Sequence, residues 1–98
     1  MITIENHALK WFESEFSTQK PFFIRLYPQY AGFGEKNKGY SLAFSLEQPA
    51  NAAEQQEIDG ITFYFESNDT WFFQDTDVEI KVCDQTSEIC ASYKETQH

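Results

Sequence analysis

Ninety-eight residues suit one domain and leave no room for a second. Sixteen acids against seven bases give a formal charge of −9, which phosphate backbones and anionic bilayers repel, so nucleic-acid and membrane partners are disfavoured from the start. With 41% hydrophobic and 17% aromatic residues the chain has the material for a core, yet no apolar run reaches the ~20 residues that span a bilayer.

Met1 to Ile4 reads as a short strand. Glu5 or Asn6 caps a helix over His7 to Ser17, in which Ala8, Leu9, Phe12 and Phe16 recur at helical spacing. Pro21 ends the connection, and Phe22 to Tyr30, rich in aromatic and branched residues, is a strand. Pro28 inside it predicts an edge position or a bulge. Ala31 to Gly39 is a loop with three glycines. Tyr40 to Glu47 alternates apolar and polar residues, the mark of a strand with one solvated face. Gln48 to Gln56 is polar and alanine-rich, so it reads as a surface loop or a frayed helical turn. Asp59-Gly60 supplies the φ > 0 positions of a primed hairpin turn. Ile61, Phe63 and Phe65 then form one apolar face, and Ser67 stands where a short helix would be capped, with Asn68 and Asp69 in its first turn. Val78, Ile80 and Val82 give a further strand. Asp84 to Glu88 is a turn, Ile89 to Tyr93 a last strand, and Lys94 to His98 a loose tail.

Several of these segments, in this order, resemble a known family. They are Ile2-Thr3-Ile4 followed by Ala8, the Gly32-Phe33-Gly34 loop with Gly39-Tyr40-Ser41-Leu42, Asp59-Gly60-Ile61, and Asn68-Asp69-Thr70-Trp71-Phe72-Phe73. Together they look like the HesB-like, or A-type iron–sulfur carrier, domain, and within it the small cysteine-poor (YneR-like) branch of Gram-positive bacteria. The resemblance spans nearly the whole chain, as one domain over residues 1–98. It implies an α+β, mostly β fold: a β-sandwich of mixed sheets with the N-terminal helix packed on it.

The family's carriers hold iron or a cluster with three cysteines, one in the Gly-rich loop and two in a C-G-C motif near the C-terminus. Here Phe33 occupies the loop position, and no C-G-C is present. A phenyl ring has no donor for iron, and clusters of this kind need thiolates. The resemblance therefore carries no ligand onto this chain, and no cofactor is expected.

Cys83 and Cys90 are the remaining thiols. A two-residue turn at Thr86-Ser87 would set them directly opposite on adjacent strands, with Cβ atoms ~4.5–5.5 Å apart. They would then be reduced bystanders, as expected in the cytoplasm, or a shared metal site, alone or across a dimer. His7 and His98 are expected at the surface, as are the carboxylate pairs Glu13 and Glu15, Glu54 and Glu57, and Asp75 and Asp77. Gly32, Gly34 and Gly39 are spaced too closely for a phosphate cradle and serve a tight loop. Tyr27, Tyr30, Phe33 and Tyr40 are more aromatic than a loop and its flanks require, and Lys36 with Lys38 makes the only local basic pair. Tyr30, Phe33, Lys36, Lys38 and Tyr40 are thus the expected partner-binding residues.

The resulting expectation is a non-enzymatic, cytoplasmic HesB-like domain without the family's cluster ligands. It would bind a protein partner, with a link to iron–sulfur assembly, and would bind neither nucleic acid nor membrane. The alternative is a metal- or cluster-handling protein that uses Cys83 and Cys90.

Overall fold

A computed structural model of the chain describes residues 2–16, 19–30, 39–83 and 88–95. In chain order its elements are β1 (Ile2–Ile4), α1 (Asn6–Glu15), β2 (Phe22–Tyr30), β3 (Tyr40–Leu46), β4 (Ala52–Ile58) and β5 (Ile61–Glu66). A 3₁₀ turn (Ser67–Asp69), α2 (Thr70–Phe73), β6 (Thr76–Val82) and β7 (Ile89–Glu95) follow. The strands form two mixed sheets, β1-β6-β7 and β3-β2-β5-β4. The chain divides into two units, residues 1–17 with 75–98 and residues 18–74. The expected class, mostly β with mixed sheets and an N-terminal helix, is the one observed.

In the first unit β1 lies parallel to β6, Ile2 beside Val78 and Ile4 beside Ile80, and β7 pairs antiparallel on the other side of β6. Ile2, Val78 and Ile80 are buried, as the alternation requires. Helix α1 packs on β6 and buries Ala8, Leu9 and Phe12, its apolar stripe. Glu5 is the N-cap residue, but its side chain makes no capping bond. Its backbone does the work instead. The Glu5 N–H donates to the Ile80 carbonyl at 2.9 Å, and its carbonyl accepts from Leu9 N–H at 2.9 Å, so the sheet itself fixes where the helix begins. β7 runs on through Lys94, where a loose tail was expected, because Asp77 opposite it offers a continuing ladder.

In the second unit β2 is an interior strand, parallel to β5 and antiparallel to β3. Phe22, Ile24 and Leu26 are buried, with Ile61, Phe63 and Phe65 beside them on β5. The edge expected from Pro28 is corrected to a local one. The β5 ladder stops at Arg25, whereas the β3 ladder continues through Pro28 to Tyr30. Pro28 therefore lacks a strand on the β5 side, where its missing N–H costs nothing.

The expected loop over 48–56 is also corrected. Residues Ala52–Ile58 form β4, an outer strand of polar residues with a register shift between Ala52 and Glu54. An edge strand wetted on both sides carries glutamate and glutamine without loss, so composition concealed it. The turn into β5 is as expected: Asp59 (φ 53°) and Gly60 (φ 85°) form a primed turn. Ser67 does not cap through its side chain. Its hydroxyl donates to the Asn51 carbonyl at 3.1 Å, tying the 3₁₀ turn to the start of β4.

Candidate functional site

The expected binding surface centres on the loop end of the β2–β3 hairpin, where β2 finishes at Tyr30 and β3 begins at Tyr40. Of its residues, Phe33, Lys36 and Lys38 lie outside the described residues, while Tyr30 and Tyr40 are directly paired across the ladder. Their rings meet edge to face, with centroids 5.5 Å apart. Tyr30 is 69% exposed. Its position is nevertheless fixed from below. Gly39 has φ +106°, and a Cβ there would stand 2.8 Å from Tyr30 Cε1, so the tyrosine ring lies against bare backbone.

Trp71 completes the cluster and was not anticipated as a binding residue. It comes from α2, and its ring meets Tyr40 edge to face at 5.3 Å. It is 47% exposed. In the sequence it stands only as one aromatic among others in the segment Asn68 to Phe73, with no signal that sets it apart. The chain of rings continues inward, from Trp71 to the buried Phe72 (5.8 Å), then to Phe73 (5.2 Å) and to Phe65 (4.2 Å, stacked).

A polar network occupies the opposite face of the same sheet. Arg25 reaches Asp69 Oδ2 at 3.0 Å and Glu47 Oε1 at 3.4 Å, and lies 5.2 Å from the Tyr27 ring centre. The Asp69 hydrogen bond is the main reason that the Arg25 guanidinium is held above its ordinary pKa. Tyr64, on the face of β5 opposite Ile61, Phe63 and Phe65, is also fully buried, and its hydroxyl donates to the Glu47 carbonyl at 2.7 Å. Burial first, then the nearby Glu47 and Glu66 charges, raises its pKa. Glu66 accepts the backbone N–H groups of Ala50 (2.8 Å) and Asn51 (2.7 Å). The Ala50 bond leads in lowering the Glu66 pKa. Arg25, Glu47, Ala50, Asn51 and Glu66 border a cavity of about 230 Å³. Arg25, the one cation among the described residues lining it, pairs with two carboxylates through its terminal nitrogens, while its buried Nε has no hydrogen-bond partner; the network holds segment 47–51 over the sheet.

Cys83 and Cys90 are corrected in register and in state. Cys90 stands opposite Lys81, and Cys83 N–H donates to the Glu88 carbonyl at 2.8 Å, so the ladder is shifted by two residues from the expected one. An even shift keeps both cysteines on one face. Their Cα atoms are 5.7 Å apart, and their sulfurs are joined in a disulfide. In that form neither sulfur is a thiolate, and only the reduced pair would present metal ligands. The turn expected at Thr86-Ser87 lies outside the described residues, as does His98. His7 is at the surface, with Nδ1 3.5 Å from Glu5 Oε1. Glu54 and Glu57 are exposed, and the strand sends them to opposite faces. Among the described residues no group of three or more His, Cys, Asp or Glu side chains is placed to hold a metal ion.

Comparison with known proteins adds three findings. No family model matches the chain. It is 30% identical over 93 residues to the pyruvate dehydrogenase inhibitor of Bacillus subtilis (strain 168), covering 95% of this chain and 98% of that protein. Uncharacterized proteins of Staphylococcus saprophyticus and Staphylococcus aureus (strain MRSA252) are 28% and 27% identical over 100 residues, with the same coverage. Among solved structures, the crystal structure of IscA with the [2Fe-2S] cluster superimposes with a TM-score of 0.66. The match covers 97% of this chain and 85% of that one at 12% identity, a likeness of fold that bears out the expected HesB-like architecture.

Proposed function

The chain belongs to the family of the Bacillus subtilis pyruvate dehydrogenase inhibitor, and from that premise we propose that it is a non-enzymatic protein that binds pyruvate dehydrogenase and inhibits it. The relationship over nearly the full length of both proteins carries this reading. It also agrees with the charge of −9, which favours a protein partner over nucleic acid or an anionic membrane. We place the chain in the cysteine-poor, YneR-like branch of the HesB-like fold, acting in the cytoplasm as one domain. The contact region is the segment from Tyr30 to Tyr40, with Phe33 as an apolar anchor and Lys36 and Lys38 setting orientation.

A binder and an enzyme differ in stoichiometry. A binding inhibitor suppresses activity in proportion to complex formed, whereas an enzyme that modified the dehydrogenase would act far below equimolar amounts. Titrating purified pyruvate dehydrogenase with the chain should lower the rate of pyruvate consumption along a saturable curve with its break near a fixed molar ratio. Removing the chain by dilution should restore the rate. Full-rate turnover at every concentration of added chain contradicts the proposal. So does complete inhibition at a small fraction of an equivalent. The double change Phe33→Ser with Lys36→Glu should abolish capture of the dehydrogenase and leave the melting temperature nearly unchanged.

A further inference from the structure

The aromatic surface extends beyond the loop, onto a second element. Tyr30 and Trp71 are two of the three large apolar side chains exposed among the described residues, and Tyr40 bridges them. Exposure of large rings is ordinarily accompanied by mobility. Here the rings are held: Tyr30 against Gly39, Tyr40 between its two neighbours, Trp71 against the buried Phe72. Rings already fixed in place lose little conformational freedom when a partner covers them, so more of their burial is retained as affinity.

The patch is also uncharged. Pro28 to Tyr30, Gly39 to Ala43 and Thr70 to Gln74 contain no ionisable acid or base other than the tyrosines. Its nearest carboxylate on α2's side, Asp69, is already paired with Arg25. The patch offers apolar ring faces with phenol and indole donors at their edges, which fits an apolar pocket rimmed by hydrogen-bond acceptors. Net repulsion between two molecules of charge −9 disfavours a second copy of this chain at low salt, where it is least screened.

We infer that Tyr30, Tyr40 and Trp71 form a preformed aromatic anchor that seats in an apolar pocket of pyruvate dehydrogenase, with Trp71 its main contact. The inference rests on the dehydrogenase reading above and adds the residue and the pocket chemistry to it.

The test measures equilibrium binding of the whole chain to purified pyruvate dehydrogenase, alongside thermal unfolding and sedimentation of each variant. Trp71→Ala should weaken binding by roughly 30-fold and Tyr30→Ala by roughly 10-fold, the range of interface hot spots. Leu46→Ala removes the third exposed apolar side chain, at the far end of β3, and should change binding by less than about threefold. Trp71→Phe, which keeps a ring, should recover part of the loss. Tyr30 is exposed enough that its variant tests the idea even if Trp71→Ala unfolds. The inference fails if folded Trp71→Ala and Tyr30→Ala bind as the unaltered chain does, or if Leu46→Ala loses as much as they do. It also fails if the chain is a dimer that Trp71→Ala separates without loss of inhibition. An unaltered chain that does not bind the dehydrogenase overturns the functional proposal itself, which separates the two failures.

Discussion

Glu66 shows how one side chain organises a segment that composition made look irregular. It is exposed enough to be solvated, yet both carboxylate oxygens accept backbone N–H groups, which favours the ionised form and lowers its pKa from the ordinary 4.5. A carboxylate with a lower pKa folded than unfolded binds fewer protons in the folded state. The stability that it adds is therefore complete above about 4.5 and is lost as pH falls through the folded value. Glu66→Gln should melt below the unaltered chain at pH 7, and the gap should close as pH falls below the ordinary 4.5 and through the lowered folded value. A gap that is constant with pH would mean that shape, not charge, is what the two N–H groups recognise. This role was not legible in the sequence, because the partners are fifteen and sixteen residues away and a glutamate ending a strand reads as solvated. Gly39 was easier: glycine beside a strand signals a backbone need, although the need turned out to be Tyr30's ring.

At the scale of elements, what the sequence made plain was whatever one face of burial dictates. α1, β2, β5 and β6 were visible from apolar periodicity, and the Asp59-Gly60 turn from its φ > 0 residues. β4 was hidden because its ladder to β5 is made by backbone, which has no side-chain signature. The β6–β7 hairpin was visible, but its register was not. Slipping by two residues leaves every side chain on the same face, so the alternation that identifies the strands cannot distinguish the two alignments. The resulting disulfide links residues only seven apart in sequence. Closing so short a loop removes chain entropy worth about 2 kcal/mol from the unfolded state. Protein kept from reductant should resist alkylation at both cysteines, and reduction should lower the melting temperature by about 5–15 °C. Ready alkylation of native protein before any reductant is added would show that the sulfurs are not joined.

For the whole molecule, charge and anchor act on different steps of one encounter. The net charge of −9 is spread over the chain and acts at a distance, so it governs how fast partners meet. The Tyr30–Tyr40–Trp71 patch is uncharged and acts only on contact, so in the proposed complex it would govern how long the partners stay together. The family resemblance identified the loop between β2 and β3 as the place to look, because that is where carriers of this fold keep a ligand. It could not reveal Trp71, which reaches Tyr40 only through the folded geometry. These two terms can be separated by salt. Raising sodium chloride from about 50 mM to about 500 mM shortens the screening length from roughly 14 Å to roughly 4 Å, which suppresses steering but not ring burial. Binding to pyruvate dehydrogenase should therefore show an association rate that falls with salt and a dissociation rate that changes by less than about twofold. Trp71→Ala should do the reverse, speeding dissociation and leaving association within about twofold. An association rate that rises with salt would mean that the dehydrogenase presents an acidic face. A dissociation rate that tracks salt as steeply as association would mean that ion pairs, and not the rings, hold the complex.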